Sequence, residues 1–145
     1  MIEFLESSRF ILYYNGAISA LTLFLQHPDN SVCAPSPLPA LSSVLEKGET
    51  PLNIDYTHPA VILSAISKTM NLPPDLLHAD PDFHEQVDVP GGIITVYLAH
   101  FKLLDPPHQL MAGHGCKLRT LTELRNRPPA EMELLRRAYA LIMES

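Results

Sequence analysis

The stretch RFILYYNGAISALTLFL, residues 9–25, decides the fold. Two apolar runs rich in aromatic and β-branched side chains, Arg9 to Tyr14 and Ala17 to Leu25, flank Asn15-Gly16. A type I′ turn needs positive φ at both central residues, and Asn and Gly adopt it at the least steric cost. The stretch therefore predicts an N-terminal β-hairpin closed by a two-residue turn.

Working outward, residues 26–44 read as a loop stiffened by Pro35, Pro37 and Pro39, with a turn or short strand near Leu41 to Leu45. From Pro59 to Asn71 the pattern is helical. Pro59 suits a first turn, Thr57 is a candidate cap, and Asn71 ahead of Leu72-Pro73-Pro74 suits a left-handed stop. Val61, Ile62, Ala65, Ile66 and Met70 would form its apolar face. Phe83 to Val89 reads as a weak strand that begins after Pro81, and Gly92 to Leu104 as a long strong one. Residues 105–116 read as a loop and Leu118 to Leu121 as a short strand. Pro129 to Met143 reads as a closing helix, with Met132, Leu135, Tyr139 and Ile142 on one stripe. Strands and helices interleave without repeat, which predicts one α/β domain of the α+β type.

Composition fits that plan. A chain of 145 residues, 46% hydrophobic and 18% charged, is too apolar for disorder and should bury roughly two thirds of its unfolded surface. Its apolar runs fall short of a membrane span. The N-terminus, Met1-Ile2-Glu3-Phe4-Leu5-Glu6, carries acids where an export signal carries positive charge, so a cytoplasmic setting is expected. Cys33 and Cys116 are too few for a disulfide scaffold and read as thiols, with a single bridge between them left open. The net charge of −6 argues against nucleic acid, which demands a basic surface. That charge is uneven: residues 1–116 hold 12 acids and 4 bases, while residues 117–145 hold 4 acids and 6 bases. The basic segment contains Lys117, Arg119, Arg125, Arg127, Arg136 and Arg137. It reads either as a solvated helix face with pairs such as Glu133 with Arg137 or as a phosphate contact, for which Arg119, Arg125 and Arg127 are the candidates.

The order of elements then becomes recognisable. A hairpin, a loop ending in Leu45-Glu46-Lys47-Gly48-Glu49-Thr50-Pro51, a helix closing on Asn71-Leu72, a strong strand and a late Leu121-Thr122-Glu123-Leu124 before a helix resemble the Nudix family. The resemblance implies a mixed sheet sandwiched between helices. It also implies a helix whose Arg-Glu and Glu-Glu residues hold Mg²⁺ or Mn²⁺, so that the metal activates water against a diphosphate linkage. With Asn71-Leu72 in the Gly-aliphatic place, Ser64-Ala65 falls where Arg-Glu belongs and Lys68-Thr69 where Glu-Glu belongs. Ordinary Nudix hydrolysis is therefore not expected. Glu46, Glu49 and Asp55 precede the helix and are the candidates for oxygen ligands supplied from a rearranged loop.

Two other constellations have ligand chemistry. Segment 75–88 holds Asp75, His78, Asp80, Asp82, His84, Glu85 and Asp88, of which Asp80, Asp82, His84 and Glu85 are the metal candidates. Alternation at 78, 80, 82 and 84 would align four side chains in an extended stretch, but Pro81 argues for a solvated acidic loop instead. His108, His114 and Cys116 form the second cluster, read as a mobile loop, a metal site or, with a histidine as base, a nucleophile.

The expected function is a non-catalytic Nudix-like module that binds a nucleotide-like or phosphate-bearing ligand or a protein partner. The alternative is an active hydrolase of nucleoside diphosphate derivatives, with metal carboxylates drawn from Glu46, Glu49, Asp55 or the 80–88 segment. A homodimer in which a second copy donates acids or covers the long strand is the further possibility.

Overall fold

The structure, a computed structural model, describes residues 7–16, 21–46 and 59–144. Its frame is a curled mixed sheet with helices on both faces. In chain order the elements are β1 (Ser8–Asn15), β2 (Thr22–Gln26), β3 (Cys33–Ala34), β4 (Ser43–Val44), α1 (Pro59–Thr69), β5 (Leu77–Val89), β6 (Gly92–Phe101), α2 (His108–Ala112), β7 (Lys117–Arg119) and α3 (Pro129–Glu144), with a 3-10 turn at Thr122–Leu124. The strands run β4-β5-β6-β1-β2-β7, and β3 pairs with β1. All pairs are antiparallel except β1 with β6.

The centre of the sheet is the segment quoted first. Ser8 to Tyr14 are all buried, as expected of a strand covered on both faces. One edge of β1 is bonded to β6. The other is shared, Phe10 and Ile11 facing β3 and Tyr13 to Asn15 facing β2. The hairpin is therefore real, but its turn is not the expected one. Asn15 is a paired strand residue opposite Thr22, whose hydroxyl donates to Asn15 Oδ1 at 3.1 Å, and the Gly16 N–H donates to the Leu21 carbonyl at 2.9 Å. The connection thus spans Gly16 to Leu21, of which residues 17–20 lie outside the described residues. A two-residue turn would set Ala17 against Tyr14. The longer loop sets Leu23 and Phe24 opposite Tyr14 and Tyr13, where the tight turn would set the smaller Ala17 and Ile18, and so buries more apolar area. The tight turn occurs elsewhere: Val89 pairs with Gly92 across Pro90-Gly91, with Gly91 at φ +91°. Proline first and a positive-φ glycine second is the type II pattern.

Two cores follow from the alternation of side chains. One face carries Phe10, Leu12, Tyr14, Tyr97 and Phe101 under α1 and α2; the other carries Ile11, Phe24, Val96 and Leu98 under α3. Cys33 belongs to the second core and Cys116 to the first, and both are free thiols, so the sheet separates them.

Helix α1 has the expected limits, and a Schellman motif ends it. Leu72 N–H donates to the Ser67 carbonyl at 2.9 Å and Asn71 N–H to the Lys68 carbonyl at 3.1 Å, with Asn71 at φ +56°. Its buried stripe is Pro59, Ile62, Leu63 and Ile66, whereas Val61 is 55% exposed, so the face is rotated from the expected one. Thr57, the candidate cap, lies outside the described residues. Helix α3 is rotated too: Leu134, Leu135, Ala138 and Ile142 are buried with Glu131, while Tyr139 is exposed.

Three further expectations are corrected. Strand β5 starts at Leu77 and passes through Pro81, because a register shift between Asp80 and His84 absorbs the residue that cannot donate to the ladder. Residues 105–116 are not all loop, since α2 buries Met111 in the first core. Strand β6 is hydrogen-bonded on both edges within the chain, so no second copy is needed to cover it. No helix among the described residues is long and apolar enough to cross a membrane.

Candidate functional site

Helix α1 is the place where the resemblance put chemistry. Its sequence, PAVILSAISKT, contains no carboxylate, and Lys68 is its only charge. Ser64, Lys68 and Thr69 are exposed. The Thr69 hydroxyl donates back to the Ala65 carbonyl at 3.0 Å, as helical threonines do when they have no other partner. A divalent cation finds neither charge nor a convergent set of oxygens here.

Of the acids proposed as substitutes, Glu46 is the one among the described residues, and it is placed elsewhere. Glu46 is exposed and lies 3.4 Å from Arg137. That arginine belongs to α3, on the face of the sheet opposite α1. Glu49 and Asp55 lie outside the described residues.

Segment 77–89 is divided by its own bulge. Asp80 Oδ1 is 2.9 Å from His100 Nδ1. His84 stacks on Tyr97, ring centroids 5.5 Å apart, on the α1 side of the sheet. Glu85 points the other way and accepts from Arg137 Nη1 at 2.6 Å. Asp82 is exposed and lines the same cleft as Glu85. Among the described residues no group of three or more His, Cys, Asp or Glu side chains is placed to hold a metal ion.

The arginines do not converge either. Arg127 forms a forked pair with Glu131, Nε and Nη2 at 3.0 and 3.2 Å from its two oxygens. Glu131 is 2% exposed and also accepts from the Ser31 hydroxyl at 2.9 Å and the Val32 N–H at 3.2 Å. This pins the first turn of α3 to the bend just before β3, and a carboxylate there also suits the helix dipole. Arg119 lies 3.5 Å from Glu123, and Arg125 is exposed.

Two clefts open on the α3 side. One, of about 570 Å³, lies between β5 and α3, and five carboxylates, among them Glu85 and Glu144, surround Arg136 and Arg137. Arg137 is already held by Glu85, by Glu133 at 2.7 Å and by the Leu45 carbonyl at 3.0 Å. The side chains of Arg136 and Arg137 hold the Glu133 carboxyl below its ordinary range. The other cleft, of about 650 Å³, is formed by residues 38–43, 88–90 and 128–131 and is lined largely by leucine, valine, proline and alanine, with Leu41 78% exposed.

A thiol–imidazole pair was not visible in the sequence. Cys116 Sγ is 3.7 Å from His27 Nδ1, the histidine coming from the end of β2 rather than from His108 or His114. Burial pushes the thiol up and the imidazole down. Both groups are thereby held neutral, the opposite of the thiolate that nucleophilic chemistry requires.

Compared with protein-family models and with curated proteins, the chain matches none.

Proposed function

We propose that the chain is a Nudix-like domain that has lost hydrolysis and serves as a binding module. The observation that carries this reading is α1, a well-formed helix at the expected place between the hairpin and the long strand whose only charged residue is Lys68. A catalytic helix of the family places carboxylates on that element; a lysine there repels the cation they would hold. The layering of a mixed sheet between α1 with α2 and α3 supports the same reading.

Of the two occupants the sequence leaves open, the pairing of charges favours a protein partner over a phosphate-bearing ligand. Arg127 is committed to buried Glu131 and Arg119 to Glu123, and the cleft holding Arg136 and Arg137 is rich in acids. A phosphate would have to displace carboxylates already paired with these guanidinium groups.

The test is a panel of nucleoside diphosphate derivatives with and without Mg²⁺ or Mn²⁺, read by phosphate release and by thermal shift. The expected result is no metal-dependent release and no rise in Tm. A rise without release would make the occupant a small ligand, since a compound specific for the folded state stabilises it by mass action. Metal-dependent release would overturn the non-catalytic reading.

A further inference from the structure

The Asp80–His100 pair is the centre of a cluster that the proposed function does not use. His100 stands directly opposite His78 on β5 and is also the register partner of Tyr13 on β1. Direct partners in a sheet project to the same face, so His78, His100 and Tyr13 form one row across three strands. The two imidazole rings have centroids 5.4 Å apart at 56°. His78 is exposed, and the side chain of His100 is 33% exposed.

We propose that His78 and His100 form a two-histidine chelate for a borderline divalent cation of the Zn²⁺, Ni²⁺ or Cu²⁺ class, with Asp80 as the outer partner that orients His100. Three observations converge. First, a metal about 2.1 Å from one nitrogen of each ring lies about 3.2 Å from each centroid, so a tetrahedral angle sets the centroids about 5.2 Å apart. The observed centroid separation of 5.4 Å is close to that spacing. Second, Asp80 Oδ1 sits 2.9 Å from His100 Nδ1. A carboxylate on one ring nitrogen fixes the tautomer and leaves the other nitrogen, Nε2, with its lone pair available. Third, the Tyr13 ring lies 5.8 Å from that of His100 and packs beside it in the sheet, which limits how far the imidazole can turn. Burial and Asp80 raise the Tyr13 phenol well above its ordinary value, so it stays neutral and adds no anionic ligand.

No third protein donor joins the pair among the described residues, so water completes the coordination. Nitrogen donors select borderline metals and leave Mg²⁺ and Mn²⁺ unbound. The site is therefore separate in chemistry and place from a Nudix-type metal site on α1.

The test is titration of the full-length, untagged chain with Zn²⁺, Ni²⁺ and Mg²⁺ by calorimetry, with imidazole NMR spectra recorded as Cu²⁺ is added. The expected result is one site for Zn²⁺ and Ni²⁺, none for Mg²⁺, and selective broadening of the His78 and His100 ring signals by Cu²⁺. His78→Gln, an exposed change that leaves the fold intact by far-UV circular dichroism, should abolish the site, and His100→Gln should do the same. Asp80→Asn keeps both ligands and should weaken binding about 10–100-fold. Binding that survives either histidine variant, broadening of other histidines instead, or no Zn²⁺ or Ni²⁺ binding by the unaltered chain would overturn the proposal.

Discussion

Helices α1 and α3 cover opposite faces of one sheet, yet they are attached by different means. Helix α1 is held by Ile62, Leu63 and Ile66 and carries a single charge, Lys68. Helix α3 buries an apolar stripe as well, but Glu131 pins its first turn through Arg127, Ser31 and Val32, and Arg137 ties its middle to Glu85 and the Leu45 carbonyl. Helix α1 carries no carboxylate, whereas Glu131, Glu133, Arg136 and Arg137 of α3 are all engaged in ion pairs. Non-directional packing fixes how deep a helix sits; directional bonds also fix its rotation and register. The bonds of Glu131 hold α3 in the turn that buries this carboxylate and leaves Tyr139 exposed.

The sharpest way to break the contrast is Glu131→Ala. It strands Arg127 and leaves the Ser31 hydroxyl and Val32 N–H without their acceptor, at an expected cost of about 3–5 kcal/mol because a buried pair loses only one of its members. Urea unfolding measures it, and a loss below about 1 kcal/mol would mean that water replaces the carboxylate and that α3 is held by packing alone. On the other face Ile66→Ala removes fully buried methyl groups from α1, with an expected loss of about 2–4 kcal/mol. The two effects should add, since the sites share no partner across the sheet; a large coupling in the double variant would contradict independent attachment.

A smaller effect isolates how α1 ends. Asn71 holds φ +56° at the Schellman stop. Asn71→Ala should cost about 1 kcal/mol, because the left-handed conformation crowds Cβ against the carbonyl, while Asn71→Gly should leave stability near its starting value. Equal losses for the two variants would assign the cost to a lost side-chain contact instead of the backbone.

Much of this was legible because it is local. Pro59 and Asn71 mark the ends of α1, Gly92 marks the start of β6, which ends at Phe101 short of the expected Leu104, and the Pro129 start of α3 stands where the sequence puts it. What escaped is decided by partners distant in sequence. Whether the hairpin closes at Asn15-Gly16 or farther on depends on whether Ala17 and Ile18 or Leu23 and Phe24 lie beside β1, which is a question of tertiary burial. Pro81 stops a strand by local rules, yet a bulge between Asp80 and His84 accommodates it. The candidate chemistry was less visible still. Asp80 stands out in the sequence as a ligand type, but its partner His100 is hidden in the apolar run of β6, and His27 is 89 residues from Cys116. Pairs of this kind carry no spacing signature, because sheet register brings them together.

The smallest effect tests whether the paired charges of the α3 layer contribute to stability. Arg136 and Arg137 both bond Glu133 and lower its pKa from an ordinary value of 4.5. A carboxyl that binds its proton more weakly in the folded chain stabilises the fold fully above the unfolded value, and that contribution is lost as pH falls through the lowered folded value. Stability should therefore decline from about pH 4.5 downward, and Glu133→Gln should remove part of the slope. At neutral pH the same substitution should cost only about 0.5 kcal/mol, because the pair is partly exposed and screened by solvent. Denaturant unfolding of both chains between pH 3 and 7 measures the two quantities together. An unchanged acid slope in Glu133→Gln would remove the Glu133 pairs as a source of the acid sensitivity. The rotation of α3 would then be set by its more buried pairs, with Glu133 acting only as their solvated neighbour.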